Sequence, residues 1–130
     1  KELFDRVDDA VCAVRSALEE GILPGGGMAL HNALTVCIDK ALQNPNDDDM
    51  NAASVILSSS LDAPINQILL NAGTSFDDIY YDDWQAGDIP SRNEGYDVKN
   101  RKYGNLIDMG VIDPLKVTKV ALQNAVSVFY

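Results

Sequence analysis

The sequence predicts a mainly α-helical domain with one small β-hairpin, and three observations carry that prediction. Apolar residues recur every three or four positions from Leu3 to Leu18, from Met28 to Leu42, through the fifties and sixties, and from Leu115 onward, the period of a helix with one buried face. Gly21, Gly25 to Gly27, Gly73 and Gly110 stand where those stretches end or begin, as helix-stopping residues do. A single short stretch, Tyr96 to Tyr103, has alternating character. With 130 residues, 46% of them hydrophobic, the chain suffices for one compact domain, and two separate cores would be a squeeze.

The first helix carries Leu3, Val7, Val11, Val14 and Leu18 on one side and closes at Gly21, a residue suited to the left-handed conformation that ends helices and a natural hinge. Glu19 and Glu20 are poorly placed there for the helix dipole. After Ile22, Leu23 and Pro24, the run Gly25, Gly26, Gly27 opens a helix to about Leu42 in which Leu30, Leu34, Cys37 and Ala41 share a face. Asn44 to Asp49 reads as a polar loop. The next helix holds Val55, Ile56, Leu61, Ile65, Ile68 and Leu69, with Pro64 expected to kink or divide it for want of an amide donor, and Gly73 closes it. Ser75 with Asp78 three residues on resembles a capping box before a short helix with Phe76, Ile79, Tyr80 and Trp84; Gly87 to Asn93 is loop. The hairpin around Lys99 and Asn100 is expected to be the only sheet. Asn105 to Met109 forms a turn stopped by Gly110, and Asp113 before Pro114 reads as the N-cap of the last helix.

Both ends look cut. The chain opens at Lys1 directly on a helical pattern without a cap, and the last helix is apolar on all sides up to Phe129 and Tyr130, the pattern of an element surrounded by protein. A fragment of a larger protein is expected.

Ten Lys plus Arg against twenty Asp plus Glu give a net charge of -10 and a pI near 4.2. That balance argues against nucleic acid as a partner and against an anionic membrane surface. No apolar run approaches the roughly 18 residues of a spanning helix, and no signal-peptide pattern opens the chain. Cys12 and Cys37 are too few for a disulfide scaffold and sit among apolar helical neighbours. The chain reads as soluble and intracellular.

Few groupings suggest chemistry. Three glycines at a helix start permit close approach of a phosphate to backbone amides, but no Lys-Ser or Lys-Thr follows as in a Walker A loop, and a tight turn between packed helices is the favoured reading. Asp8 and Asp9 sit on the first helix, with Asp9 about opposite the apolar stripe at 100° per residue; it can serve as a general base, though Glu2, Asp5 and Glu20 share a solvated polar side. Asp47 to Asp49 fail as a calcium loop, because Asp49 and Val55 occupy the places that need glycine and glutamate. Asp77, Asp78, Asp82 and Asp83 give no better loop. His31, the single histidine, suits a core boundary; no cluster supports zinc, and Ser58 to Ser60 lack a histidine base in sequence.

Three segments together resemble the group I, GroEL-type chaperonins: Asp5 to Leu30 (DRVDDAVCAVRSALEEGILPGGGMAL), Ala63 to Gly73 (APINQILLNAG) and Tyr103 to Val128 (YGNLIDMGVIDPLKVTKVALQNAVSV). The resemblance covers nearly the whole chain and implies a helical fragment of equatorial type with one small hairpin. It places residues 1–20 in the C-terminal helix of the intermediate domain and 21–130 in the C-terminal half of the equatorial, nucleotide-binding domain. It implies ATP or ADP with Mg²⁺ and K⁺ as ligands, and Asp9 as the carboxylate that helps to position or activate water for hydrolysis. The backbone around Gly26, within Gly25 to Gly27, is implied to contact sugar and base, Asp113 to hold the ribose hydroxyls, and Asp97 and Val98 to lie against adenine.

Asp97 stands where the family often has asparagine, so an ionised side chain there can accept hydrogen bonds but not donate them. Gln43 to Met50 and Tyr80 to Glu94 match the family poorly. No Gly-Asp-Gly-Thr-Thr phosphate loop occurs in the sequence; the magnesium-binding aspartate is expected with it, in the other half of the equatorial domain. The resemblance further implies homo-oligomeric rings, unfolded client proteins and a co-chaperonin engaged through an apical domain, and a cytoplasmic or organelle-matrix location. Two rival readings are a helical interaction module without chemistry and a self-contained phosphate-binding enzyme built on the glycine junction.

Overall fold

A computed structural model describes residues 1–80 and 91–128; Trp84, the Asp82–Asp83 pair, most of the Gly87 to Asn93 loop, and Phe129 and Tyr130 lie outside the described residues. Helix α1, Glu2–Glu20, leads into strand β1, Ile22–Pro24; α2, Met28–Asn32, α3, Leu34–Gln43, and α4, Asp48–Asn71, follow. Strands β2, Glu94–Asp97, β3, Lys102–Asn105, and β4, Ile112–Pro114, precede the last helix α5, Leu115–Val128. The mainly α expectation holds.

Helix α1 buries none of its residues, and Leu3 and Leu18 are 76% and 82% exposed. Its apolar stripe therefore faces outward over most of its length. At its end Gly21 takes φ 93° and ψ -169°, a combination open essentially to glycine alone but different from the left-handed cap expected. The ill-placed Glu19 and Glu20 find partners in α5: Lys116 bonds Glu19, and Lys119 Nζ lies 2.5 Å from Glu20 Oε2.

Among the described residues there are two small sheets, which corrects the expectation of one. The hairpin β2–β3 pairs Tyr96 with Tyr103 and extends to Glu94 and Asn105. The second is the antiparallel pair β1–β4, in the register Ile22–Pro114, Leu23–Asp113 and Pro24–Ile112. Gly25 N–H donates to Val111 O at 2.9 Å, and Leu115 N–H to Gly21 O at 3.1 Å, continuing the ladder beyond both ends. Each strand has three residues and ends in a proline, which lacks a ladder donor and sits at strand ends; the pairing joins residues some ninety positions apart.

The run from Met28 is broken at Ala33, where i to i+3 bonds (Ala33 N–H to Leu30 O, Val36 N–H to Ala33 O) tighten the chain and Thr35 Oγ1 donates to Asn32 O. Helix α4 is one 24-residue helix and runs through Pro64, so the proline does not divide it. Asp47 caps α4, its carboxylate accepting Met50 N–H at 2.9 Å, with Asp48 and Asp49 in the first turn, where negative charge meets the helix dipole. The acidic cluster is thus a helix start. The other end is a Schellman closure: Gly73 at φ 78°, Gly73 N–H on Leu70 O and Thr74 N–H on Leu69 O. Ser75 and Asp78 form the expected capping box, each side chain accepting the other's backbone N–H at 3.1 Å, and residues 76–80 are helical.

The core is Met28, Ile65, Leu69 and Leu106, with Phe76, Ile79, Tyr96, Val98, Met109 and Val111 packed around it. It joins α2, α4, the 76–80 helix and the hairpin. The accessible surface of 9467 Å² compares with roughly 6,700 Å² for a compact monomer of this mass. Much apolar surface on α1, α3 and α5 accordingly stays open, including Val36, Val117 and Val126.

Candidate functional site

The glycine junction links β1 to α2 and is wedged between two elements. A Cβ on Gly25 would stand 3.1 Å from Ile112 N, and one on Gly27 only 2.8 Å from Ile65 N in α4, while one on Gly26 would meet nothing closer than Val111 Cγ1 at 4.0 Å. Gly26 and Gly27 have φ of 66° and 83°. Gly26 thus presents open backbone, whereas its neighbours are glycine because protein lies against them. Helix α2 has five residues, and its Met28 N–H is bonded to Gly25 O, so the junction is a packed turn of the kind the sequence favoured.

Asp113 lies in β4 opposite Leu23 and not at a helix N-cap, because strand pairing claims 112–114 and α5 begins at Leu115. Its side chain borders a groove of about 540 Å³ shared with Gly27, Ser60, Pro64 and Thr118. Burial pushes its carboxyl above the usual range, and among the described residues none donates to it. Val98 follows β2, and both it and Val111, whose carbonyl holds Gly25, pack against the core of Met28, Ile65, Leu69 and Leu106. The glycine junction and Asp113 are therefore joined through the β1–β4 ladder and the Gly25–Val111 bond, whereas Val98 shares with them only the core against which Val111 packs.

Asp97 is buried, at 6% exposure, but faces its own hairpin. Its Oδ1 accepts Lys99 N–H at 2.9 Å and Asn100 N–H at 3.3 Å, and its Oδ2 accepts Asn100 Nδ2 at 2.6 Å. The Asn100 side chain first, opposed by burial and helped by the two backbone donors, holds this carboxyl below its usual range. Asp9 is exposed on α1, about 18 Å along the axis before Gly21 at 1.5 Å per residue. The structure brings Asp9 into no contact with the junction.

Three contributors escaped the sequence reading: Val111, Asn100, and the ion pairs from Glu19 and Glu20 to α5. Asp97-x-x-Asn100 has the form of an Asx-type turn, and Lys116 and Lys119, three apart on a helix, match the charges of Glu19 and Glu20; both patterns were visible. The other groups explain themselves structurally. His31 Nδ1 meets Asp62 Oδ1 at 2.6 Å with its ring tilted against Phe76, and Ser59 and Ser60 return their hydroxyls to Val55 O and Ile56 O. Cys12 and Cys37 are free thiols.

The unpaired carboxylate of Asp113 has a thermodynamic consequence. Its folded pKa is raised, so the folded chain holds that proton more tightly, and the stabilising contribution present below about pH 4 is lost as pH rises through the folded value. Asp113→Asn is expected to raise the melting temperature at pH 7 relative to the parent and to leave it nearly unchanged at pH 3; equal shifts at both pH values would exclude burial of charge as the cause.

Comparison with known proteins agrees with this architecture. The sequence profile described as the TCP-1/cpn60 chaperonin family matches residues 1–129. Chaperonin GroEL of Neorickettsia risticii is 44% identical over 128 residues, which are 98% of this chain and 22% of that protein. A crystal structure of a group III chaperonin in the open state matches with a TM-score of 0.64 and 25% identity, over 87% of this chain and 23% of the other. The chain thus spans about a fifth of the length of these relatives. Resting on a family match over almost its whole length and a shared helical architecture, the chain belongs to the TCP-1/cpn60 chaperonin family.

Proposed function

We propose that this chain is the part of an ATP-dependent, group I protein-folding chaperonin that carries the sugar and base side of the nucleotide site together with the hydrolytic carboxylate. The observation that carries the reading is Asp113: a half-buried carboxylate without a donor among the described residues, at a groove edge beside the glycine junction. Two adjacent ribose hydroxyls supply the donors it lacks. Gly26 gives the open backbone a sugar can approach, and Val98 an apolar contact for the base. Residues 1–20 would belong to the intermediate domain and 21–130 to the equatorial domain.

Asp9 then accepts a proton from the attacking water as the bond between that oxygen and the γ-phosphorus forms and the bond to the ADP oxygen breaks. Because Asp9 stands well away from Gly21 along α1, this requires α1 to turn about Gly21 over the bound nucleotide. Among the described residues no group of three His, Cys, Asp or Glu side chains can hold a metal. By the family resemblance Mg²⁺ and K⁺ would accompany the nucleotide, with the magnesium ligand in the other half of the equatorial domain. Homo-oligomeric rings, unfolded clients, a co-chaperonin and a cytoplasmic location follow by analogy with the relatives.

The test is a pair of ATPase assays. The 130-residue chain alone, without a phosphate loop, is expected to show little or no turnover, and the full-length protein that carries it to hydrolyse ATP. Robust turnover by the chain alone would favour a self-contained phosphate-binding enzyme. A full-length protein indifferent to nucleotide would favour the interaction module, to which the exposed apolar faces of α1 and α5 would then belong.

A further inference from the structure

The fold leaves one group of cations unanswered. Lys99, Arg101 and Lys102, three of the chain's ten Lys and Arg, stand exposed on the turn of the β2–β3 hairpin, and none forms an ion pair with a described residue. Asp97 is the nearest carboxylate in sequence, but it is buried and accepts the N–H groups of Lys99 and Asn100. It holds the turn in shape from inside while the three cations remain in solvent. Keeping like charges this close costs free energy that an anionic partner removes.

Most acidic groups, by contrast, are answered within the chain. Asp48 and Asp49 lie in the first turn of α4, where the dipole favours negative charge, Asp78 caps the 76–80 helix, and Glu19 and Glu20 pair with Lys116 and Lys119. Helix α1 is the exception. At 100° per residue Glu2, Asp5, Asp8 and Asp9 fall within about 120° around its axis, and all four are exposed. Arg6 pairs with Glu2 alone; the other three have no ion pair among the described residues.

The two groups match in charge but belong to different surfaces. Helix α1 packs on α5 and β4, and Asp5 lies about 24 Å from Gly21 along its axis. The hairpin packs through Tyr96 and Val98 on the core of Met28, Ile65, Leu69 and Leu106. No ion pair joins the two within the chain.

We propose that the hairpin turn of one copy docks on the acidic side of α1 in a neighbouring copy, with Lys99, Arg101 and Lys102 meeting Asp5 and Asp8. The contact joins two unlike surfaces, so it is head-to-tail, the kind that closes rings or runs on into filaments. The inference rests on the proposed ring assembly and names one of its subunit contacts.

The experiment is carbodiimide cross-linking of the full-length protein assembled from isotope-labelled and unlabelled chains together. The reagent joins a carboxylate to an amine only where they touch, and a linked peptide pair of mixed mass comes from two copies. Links from Lys99 or Lys102 to Asp5 or Asp8 are expected with mixed mass, and are expected to disappear in about 1 M salt, where the Debye length is about 3 Å. Arg101→Glu is expected to lower their yield about fivefold, as for the loss of one surface pair. Lys40→Glu, the same change of charge at an exposed residue of α3, should leave the yield unchanged. Assembled protein without these links, with links confined to single copies, or with equal losses from both variants would overturn the inference. A full-length protein that sediments as a monomer would instead remove the ring reading, and the inference with it.

Discussion

Asp9→Ala in the full-length protein is expected to lower ATP hydrolysis by about 10²- to 10⁴-fold, the usual contribution of a positioned general base, while the dissociation constant for ADP changes less than about twofold. The two halves of the expectation have separate causes. Asp9 is exposed on α1 and far along the helix from the glycine junction, so its removal takes nothing from the surfaces proposed to hold sugar and base. In the proposed mechanism it acts when α1 turns about Gly21 and brings the carboxylate over the phosphate of a bound nucleotide. Stability should not move, because among the described residues Asp9 has no ion pair or hydrogen bond to lose. Asp8 is the internal control: it is also exposed but lies about 100° away around the helix, and Asp8→Ala should retain most of the activity. Equal losses from both substitutions would point to the charge of α1 as a whole. An unchanged rate in Asp9→Ala would remove Asp9 from catalysis.

The proposed hinge has to be held as well as bent. Gly21 occupies backbone dihedrals that other residues avoid, and the bonds of Glu19 and Glu20 to α5 hold the near end of α1 against that helix. Both pairs are substantially exposed, with the Lys116 and Glu19 side chains at 41% and 56%, and such pairs contribute at most about 1 kcal/mol each. That is weak enough for ligand binding to overcome. The sequence made this region legible in part: the helix and its terminal glycine follow from periodicity and punctuation, whereas the two misplaced glutamates make sense only once α5 lies beside them. The same limit explains the other differences. Asp113 and Pro114 satisfy every local rule for a helix start, yet a three-residue ladder to Ile22–Pro24 claims them. Long-range pairing of so few residues leaves no period to read. The resemblance put Asp97 against adenine, whereas the direction of its carboxylate into the hairpin turn, set by Asn100, could not be read from the sequence.

Gly27→Ala is expected to destabilise the folded chain by about 3 kcal/mol, the sum of roughly 1–2 kcal/mol for a non-glycine residue in the left-handed region and about 1–3 kcal/mol for overpacking. Gly26→Ala is expected to cost only about 1 kcal/mol. The two residues have similar φ, 83° and 66°, so strain is common to both and the difference isolates packing. A Cβ at position 27 would lie 2.8 Å from Ile65 N and 3.0 Å from Ile65 Cα, atoms of the α4 backbone that cannot rotate aside, and Ile65 is in the core with Met28 and Leu69. At position 26 the added atom meets only Val111 Cγ1 at 4.0 Å, an ordinary contact. Against a total stability of about 5–15 kcal/mol, the first change threatens folding and the second does not. Urea unfolding of both variants checks this, and equal midpoints would mean that α4 moves away from the junction at little cost. Activity should divide the other way round: Gly26→Ala, folded and nearly as stable as the parent, puts a methyl group where the sugar is proposed to approach, and is expected to weaken nucleotide binding without unfolding the chain.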